Sequence, residues 1–358
     1  MTEPVTAGRA ATAYIDGLFK LMCQQKASDL HLTVGLPPMI RKDGHMQPLD
    51  PAAPVLDAAM MGHLLDPITP EKNRKEFEEK HDTDFAYEIP GLARFRANRF
   101  MDRKGPGAVF RVIPSNILTA EQLGLSQAIL GLCKLNKGLV LVTGPTGSGK
   151  STTLCAMVDH INKTRQDHII TIEDPIEFVH ENQQCVINQR ELHRDTLGFS
   201  EALRSALRED PDVILVGEMR DLETIRLALT AAETGHLVFG TLHTSSAAKT
   251  IDRIVDVFPA AEKEMVRSML SESLRAVISQ SLLKRVGGGR IAAHEIMIGS
   301  PAIRNLIREG KIAQMYSAIQ TGQAQGMQTL DQNLQELMMK GLITKEEARF
   351  RAVNKENF

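Results

Sequence analysis

The spacing of apolar residues predicts a small mixed domain in the first third of the chain. A helix is expected over residues 13–25, where Ile15, Leu18, Phe19 and Met22 share one face. Strands are predicted at 28–32, 84–88, 93–102 and 108–112, helices at 56–65 and 70–80, and a turn at 42–44. Residues 1–113 are therefore predicted to form an α+β domain.

A different pattern follows residues 114–119, where proline and small polar residues indicate a linker. Short apolar runs that suit a buried parallel sheet occur at 138–143, 168–172, 213–216 and 237–242. Helices are predicted at 152–161, 200–208, 222–233, 261–283, 302–309 and 330–340, with a flexible turn at 287–289. Alternation of strands and helices predicts a doubly wound α/β fold. The predicted organisation is a first domain over 1–113, a linker over 114–120 and an α/β domain with a helical C-terminal part over 121–358.

Composition narrows the choice of function. The 42 Lys and Arg residues nearly balance the 44 Asp and Glu residues, for a net charge of -2. With 12 Phe, three Tyr and no Trp, the chain has little material for a basic groove with stacking platforms, and we expect no nucleic-acid partner. No run approaches the roughly 20 apolar residues that a membrane span needs, so no direct membrane insertion and a cytoplasmic location are expected.

The four cysteines, Cys23, Cys133, Cys155 and Cys185, form no close pair of the kind that zinc sites use. Isolated thiols in a chain of this length fit a reducing compartment. Cys155 falls in a predicted helix, where a small buried apolar residue is the simpler interpretation.

The strongest chemical motif is a glycine-rich loop between a predicted strand and a predicted helix. Its residues are Gly144, Pro145, Thr146, Gly147, Ser148, Gly149, Lys150 and Ser151, with Thr152 opening the helix. Glycines let the backbone N–H groups turn inward towards phosphate oxygens, and the helix N-terminus adds a partial positive charge. This pattern predicts a P-loop for ATP, with Lys150 at the β- and γ-phosphates and the Ser151 hydroxyl on Mg²⁺.

Acidic residues follow two of the other predicted strands. Glu218 is the second residue after the run 213–216, separated from it by Gly217, which departs from the usual position of the metal-side aspartate. Glu173 opens a second acidic segment, Glu173-Asp174-Pro175-Ile176-Glu177. Either glutamate could activate the attacking water or hold a metal-bound water, and spacing alone does not rank them. Asp174 suits a turn as well as a metal.

His243 closes a further strand at the same predicted sheet edge, in the sequence Thr241-Leu242-His243-Thr244. An imidazole at this position could sense the γ-phosphate. A lone histidine at such a position is more often structural.

The order of these motifs resembles that of the secretion ATPase superfamily. In that family the segments corresponding to 173–178, 207–218 and 234–244 are the Asp box, an atypical Walker B motif and the His box. Residues 28–32, 35–39 and 95–99 resemble the N-terminal domain of its pilus retraction branch, and residues 302–309 resemble a C-terminal helix of that branch. The resemblance covers essentially the whole chain.

This resemblance implies a RecA-like P-loop core and a PAS-like N-terminal domain, with nucleotide held between them. It implies a homo-hexamer that hydrolyses ATP with Mg²⁺ to retract type IV pili in twitching motility, with Glu218 as the catalytic glutamate and His243 near the γ-phosphate. Arginines of the N-terminal domain would contact the nucleotide; the candidates are Arg94, Arg96, Arg99 and Arg111. The implied partners are an inner-membrane pilus platform protein, which would also hold the motor at the membrane, and a paralogous accessory ATPase.

Three alternatives remain at this stage. The chain could be the accessory retraction ATPase, which the 302–309 helix disfavours. Pilus-extension and type II secretion ATPases usually carry a longer N-terminal region and a four-cysteine zinc site, neither of which this sequence shows. A RecA-like nucleic-acid translocase is disfavoured by the charge balance.

Overall fold

The computed structural model describes the backbone of residues 3–42, 45–113 and 117–358, and side chains within these ranges from residue 12 onward. The chain divides into two compact units, Met1–Asn116 and Ile117–Phe358. Residues 43 and 44 of the predicted turn and 114–116 of the predicted linker lie outside the described residues. None of the described helices is long and apolar enough to cross a bilayer.

The first unit is built on an antiparallel sheet. Its helices are α1 (Glu3–Gln24), α2 (Ala58–Leu65) and α3 (Glu71–Lys80), and its strands are β1 (Asp29–Leu32), β2 (Met39–Lys42), β3 (His45–Pro48), β4 (Asp82–Ile89), β5 (Ala93–Asp102) and β6 (Gly105–Ile113). The strand order is β3-β2-β1-β6-β5-β4. The predicted strands and helices of this region are confirmed, with α1 beginning ten residues earlier than the pattern indicated.

One face of α1 forms the core of this unit. Ile15, Phe19 and Met22 are fully buried, as the helical spacing predicted. The Phe19 ring stacks on Phe95 at 4.2 Å between centroids and meets Phe110 edge-on at 4.9 Å. Aromatic burial of this size is the main favourable contribution to a domain this small.

The second unit contains a seven-stranded sheet. Its strands are β7 (Gly138–Thr143), β8 (His168–Glu173), β9 (Val186–Glu191), β10 (Val213–Val216), β11 (Leu237–Leu242), β12 (Leu274–Lys284) and β13 (Arg290–Ile298). The order is β13-β12-β7-β11-β10-β8-β9. All neighbouring pairs are parallel except β12 and β13, which are antiparallel.

Helices cover both faces of this sheet. They are α4 (Gln127–Leu132), α5 (Lys150–Thr164), α6 (Phe199–Ala206), α7 (Leu222–Thr234), α8 (Ala247–Asp256), α9 (Lys263–Ser273), α10 (Pro301–Arg308), α11 (Met315–Thr321), α12 (Leu330–Met339) and α13 (Lys345–Arg351), with short 3-10 turns at Ala260–Glu262, Ile312–Gln314, Gln323–Gln325 and Lys355–Asn357. Alternate residues of β7 enter opposite cores: Leu139 and Leu141 belong to one apolar cluster, Val140 and Val142 to the other. The doubly wound α/β prediction is therefore confirmed.

One sequence prediction was wrong. The single helix expected over 261–283 is a helix that ends at Ser273 and a strand that starts at Leu274. Leu274–Lys284 pairs with β7 on one side and β13 on the other, and this pairing overrides the local helical pattern. The elements that the sequence did not predict are β2, β3, β9, β13, α4, α8, α11 and α13.

Three of the four cysteines, including Cys155, are buried, and all four are free thiols. Burial raises the pKa of the Cys155 thiol. The interpretation of Cys155 as a buried core residue is confirmed.

Candidate nucleotide-binding site

The glycine-rich loop joins β7 to α5, as its position in the sequence predicted. Gly144, Gly147 and Gly149 have φ values of 143°, 77° and 87°, which side-chain-bearing residues rarely adopt. A Cβ on Gly144 would lie 2.3 Å from the Gln280 carbonyl oxygen. The first glycine therefore serves both the turn and the close contact with β12.

A cleft of about 870 Å³ opens beside this loop in the second unit. The loop contributes Thr146, Gly147, Gly149, Lys150, Ser151 and Thr152 to its lining. Glu173, Asp174, Glu177, Glu218 and His243 line it as well. The carboxyl ends of β8, β10 and β11 thus supply acidic and imidazole groups to the cleft that the P-loop borders, where open α/β sheets bind ligands.

Lys150 is held at the mouth of the loop. Its Nζ donates to the carbonyl oxygens of Gly144 at 2.9 Å and Pro145 at 3.2 Å. It also lies 3.4 Å from Nδ1 of His243. Burial lowers the pKa of Lys150, and the negative charges of Glu218 and Glu177 oppose that shift.

His243 links Lys150 to Glu218. Its Nε2 lies 2.8 Å from Glu218 Oε1. An ammonium group can only donate, so Nδ1 of a neutral His243 ring accepts from Lys150 and Nε2 carries the proton that faces Glu218. The Arg220 guanidinium is a second donor to the same carboxylate. Glu218 is thereby oriented at the cleft by two donors.

Gly217 explains the unusual position of Glu218. A Cβ on Gly217 would lie 3.0 Å from the Ile172 carbonyl oxygen and 3.2 Å from the Glu173 Cα. Its N–H also donates to that carbonyl at 2.7 Å. This close approach favours glycine directly after β10, and the acidic side chain comes one position later.

Glu173 lies in a more enclosed environment than Glu218. Its Oε1 accepts from the Thr171 hydroxyl at 2.6 Å and from Gln189 Nε2 at 3.1 Å. Burial raises the pKa of the Glu173 carboxyl. Spacing along the sequence could not rank these two acids, but their surroundings in the structure differ. Glu218 contacts His243, which in turn contacts Lys150. Glu173 accepts hydrogen bonds from the neutral side chains of Thr171 and Gln189.

Gln280 is the residue in this region that sequence reasoning missed. It lies on β12, and its buried amide contacts the P-loop at Ser148 and helix α5 at Thr153. Because residues 261–283 were predicted to form a helix, the contacts of Gln280 with the P-loop could not be predicted. The signal in the sequence is the polar run Ser279-Gln280-Ser281 within an otherwise apolar stretch.

The four candidate arginines lie in the first unit and differ in their surroundings. Arg99 is buried, donates to Asp66 at 2.8 Å and to Thr69 at 3.1 Å, and its guanidinium lies over the Phe77 ring. Arg94 is also buried.

Arg96 and Arg111 are directly opposite each other on β5 and β6 and are exposed. Arg111 also forms an ion pair with the buried Asp29 at 2.8 Å. The exposed pair suits a phosphate contact better than Arg99 does, and the role of all four stays a prediction.

The fold and the loop together define a P-loop nucleotide-binding protein. A family model described as "Type II/IV secretion system protein" matches residues 10–350. The chain belongs to this family.

Known relatives agree with this assignment. The chain is 66% identical over 344 residues to the "Type IV pilus retractation ATPase PilT" of Pseudomonas aeruginosa, covering 96% of this chain and 99% of that protein. It is 39% identical to the "Type IV pilus ATPase PilU" of the same organism, covering 92% and 86%. A crystal structure described as the pilus retraction motor PilT with bound ADP superposes with a TM-score of 0.88 at 48% identity, covering 94% of this chain and 98% of that one.

Proposed function

We propose that this protein hydrolyses ATP and uses the energy to retract type IV pili. ATP hydrolysis is supported by one observation: Lys150 contacts His243, and His243 contacts Glu218, in the same cleft that the P-loop lines. The 66% identity to a relative named a pilus retraction ATPase, against 39% to a relative named only a type IV pilus ATPase, favours the principal retraction motor.

Phosphate binding is the first step. The loop N–H groups and the N-terminus of α5 attract the anion, and Lys150 exchanges its contacts with the Gly144 and Pro145 carbonyls for β- and γ-phosphate oxygens. When Lys150 leaves His243 Nδ1, the imidazole stays bound to Glu218 through Nε2. His243 thereby keeps Glu218 oriented at the cleft while Lys150 binds the phosphates.

Glu218 is the proposed general base. A carboxylate at the cleft can take a proton from the attacking water, and the donors His243 and Arg220 fix its direction. Glu173, enclosed and held by Thr171 and Gln189, suits a fixed acceptor for a bound water rather than the base.

Mg²⁺ fits the oxygen groups of this cleft. The Ser151 hydroxyl lines it with the carboxylates of Glu173 and Glu218, which could bind the ion through water. Among the described residues no group of three or more His, Cys, Asp or Glu side chains forms a metal cage, which agrees with an ion held mainly by phosphates and water. The ion, when bound, would neutralise charge on the β- and γ-phosphate oxygens.

The proposal includes an assembly and a place of action. We propose a homo-hexamer at the cytoplasmic side of the inner membrane, attached through a pilus platform protein and working with a paralogous accessory ATPase. Support comes from the family, from the relative and the solved structure named for pilus retraction, and from a second relative named a type IV pilus ATPase. The domains proposed for the motor are 1–113 and 121–358.

Two measurements test the function. Purified full-length protein should release phosphate from ATP with Mg²⁺, and the Lys150→Ala variant should not. Deletion in the host should leave cells with surface pili that do not retract. Absence of surface pili after deletion would indicate extension instead, and DNA-stimulated turnover with salt-dependent DNA binding would indicate a translocase.

A further inference from the structure

Gln280 contacts the P-loop at both of its ends. The backbone carbonyl of Gln280 lies against Gly144, where a Cβ would approach it to 2.3 Å. Its side-chain Nε2 donates to the Ser148 carbonyl at 2.7 Å and would lie 2.9 Å from a Cβ on Gly149. The side chain is almost completely buried. The shape of the loop is thus matched to this one residue of the neighbouring strand.

The orientation of the Gln280 amide is fixed by three partners. The Ser148 carbonyl can only accept, so the NH₂ group must face it. The amide oxygen then accepts from the Thr153 hydroxyl at 2.7 Å and faces His294 Nε2 at 3.1 Å. Burial lowers the pKa of His294 to about 4, so the ring is neutral and its Nε2 carries the proton.

The contact with Ser148 has a consequence for the phosphate site. In a trans peptide the C=O and the following N–H point in opposite directions. By holding the Ser148 carbonyl towards β12, Gln280 turns the Gly149 N–H the other way, into the loop, where P-loop N–H groups meet phosphate oxygens. If the carbonyl were released, the peptide could rotate and present an oxygen to the anion.

We propose that Gln280 is a positioning residue for nucleotide binding, which orients the Ser148–Gly149 peptide so that its N–H faces the phosphates. The proposal rests on the nucleotide-binding part of the proposed function. It also connects the loop to the C-terminal helices, because the His294 N–H donates to Asn333 of α12 at 2.9 Å.

The Gln280→Glu variant provides the sharpest test. A protonated glutamic acid has the same donor and acceptor pattern as the amide, whereas an ionised one cannot donate to Ser148 and repels its carbonyl. Burial should raise the pKa of the new carboxyl. Of the side chains that hydrogen-bond the Gln280 amide, His294 alone titrates, and in the wild-type protein it stays neutral between about pH 6 and pH 8.

Isothermal titration of the full-length protein with Mg-ADP measures the effect. We expect Gln280→Glu to raise the Kd for ADP about tenfold at pH 8, the scale of one hydrogen bond, and to recover most of that affinity near pH 6. Gln280→Met, of similar length, should lose affinity at both pH values. A purely structural role would lower thermal stability without this difference in the pH dependence of ADP affinity.

Gln328→Glu is the matched control. Gln328 also donates its amide to a backbone carbonyl, that of His294 at 2.9 Å, in the same region but away from the loop. The ADP affinity of the Gln328→Glu variant should stay within twofold of that of the wild-type protein. Folded Gln280→Glu and Gln280→Met proteins that bind ADP as wild type does would overturn the proposal. Wild-type protein that binds ADP but releases no phosphate would instead refute the catalytic function.

Discussion

Replacing Glu218 by Gln separates the geometry of this side chain from its basicity. The amide oxygen of Gln can still accept from His243 Nε2, at present 2.8 Å from the carboxylate. The lost charge weakens the contact with Arg220, whose side chain is 75% exposed, so that loss should cost at most about 1 kcal/mol. Removal of a general base should lower kcat by about 10² to 10⁴, or roughly 3 to 5 kcal/mol of barrier.

The assay is steady-state phosphate release with Mg-ATP, together with ADP binding by calorimetry. Glu218→Gln should keep its Kd for ADP within about threefold of wild type while kcat falls by at least about a hundredfold. Glu223→Gln is the control, because Glu223 on α7 pairs with Arg204 at the surface and should behave as wild type. A kcat for Glu218→Gln within threefold of wild type would show that another group activates the water.

Three further changes test other parts of the structure. Gly144→Ala should abolish the rise in melting temperature that ADP gives, because its Cβ would lie 2.3 Å from a backbone oxygen; Gly287→Ala, which also has a positive φ but faces open space, should keep that rise. Phe19→Ala should lower the free energy of unfolding of the first unit by about 3 to 5 kcal/mol in a denaturant titration, whereas Phe350→Ala, at a 71% exposed position of the second unit, should lower that of its own unit by less than about 0.5 kcal/mol. Because burial raises the Glu173 pKa, the native state keeps that proton longer than the unfolded chain, and wild-type stability should fall as pH rises from the ordinary carboxyl value through the raised one. Glu173→Gln has no such proton, so its stability relative to wild type should increase over that pH range in thermal melts and then level off; a difference independent of pH would contradict the argument.

Three central strands of the large sheet could be predicted from the sequence to the residue. Gly138–Thr143, Val213–Val216 and Leu237–Leu242 are buried along their whole length, and their continuous apolar runs reflect that burial. The glycine-rich loop could also be predicted, because its three glycines occupy positions of positive φ between a strand and a helix. Local sequence determines these features.

Other features depend on partners distant in the sequence. Leu274–Lys284 has an apolar content compatible with either a helix or a strand, and its pairing with β7, more than 130 residues earlier, decides between them. Gln280 acquires its role only through that pairing. The ranking of Glu173 and Glu218 likewise depends on which of them lies beside His243, and spacing along the chain does not carry that information.

The pairing of Gln328 with Ile296 affects how copies of this chain can associate. Strand β13 is an edge strand of the large sheet. The backbone N–H of Ile296 donates to the Gln328 carbonyl at 2.9 Å, and the Gln328 N–H donates to the Ile296 carbonyl at 3.0 Å. An exposed edge strand can pair with a strand from another molecule, which leads to open-ended aggregates. Gln328, from a later loop, pairs with Ile296 near the end of this edge strand and so hinders the addition of a foreign strand at that point.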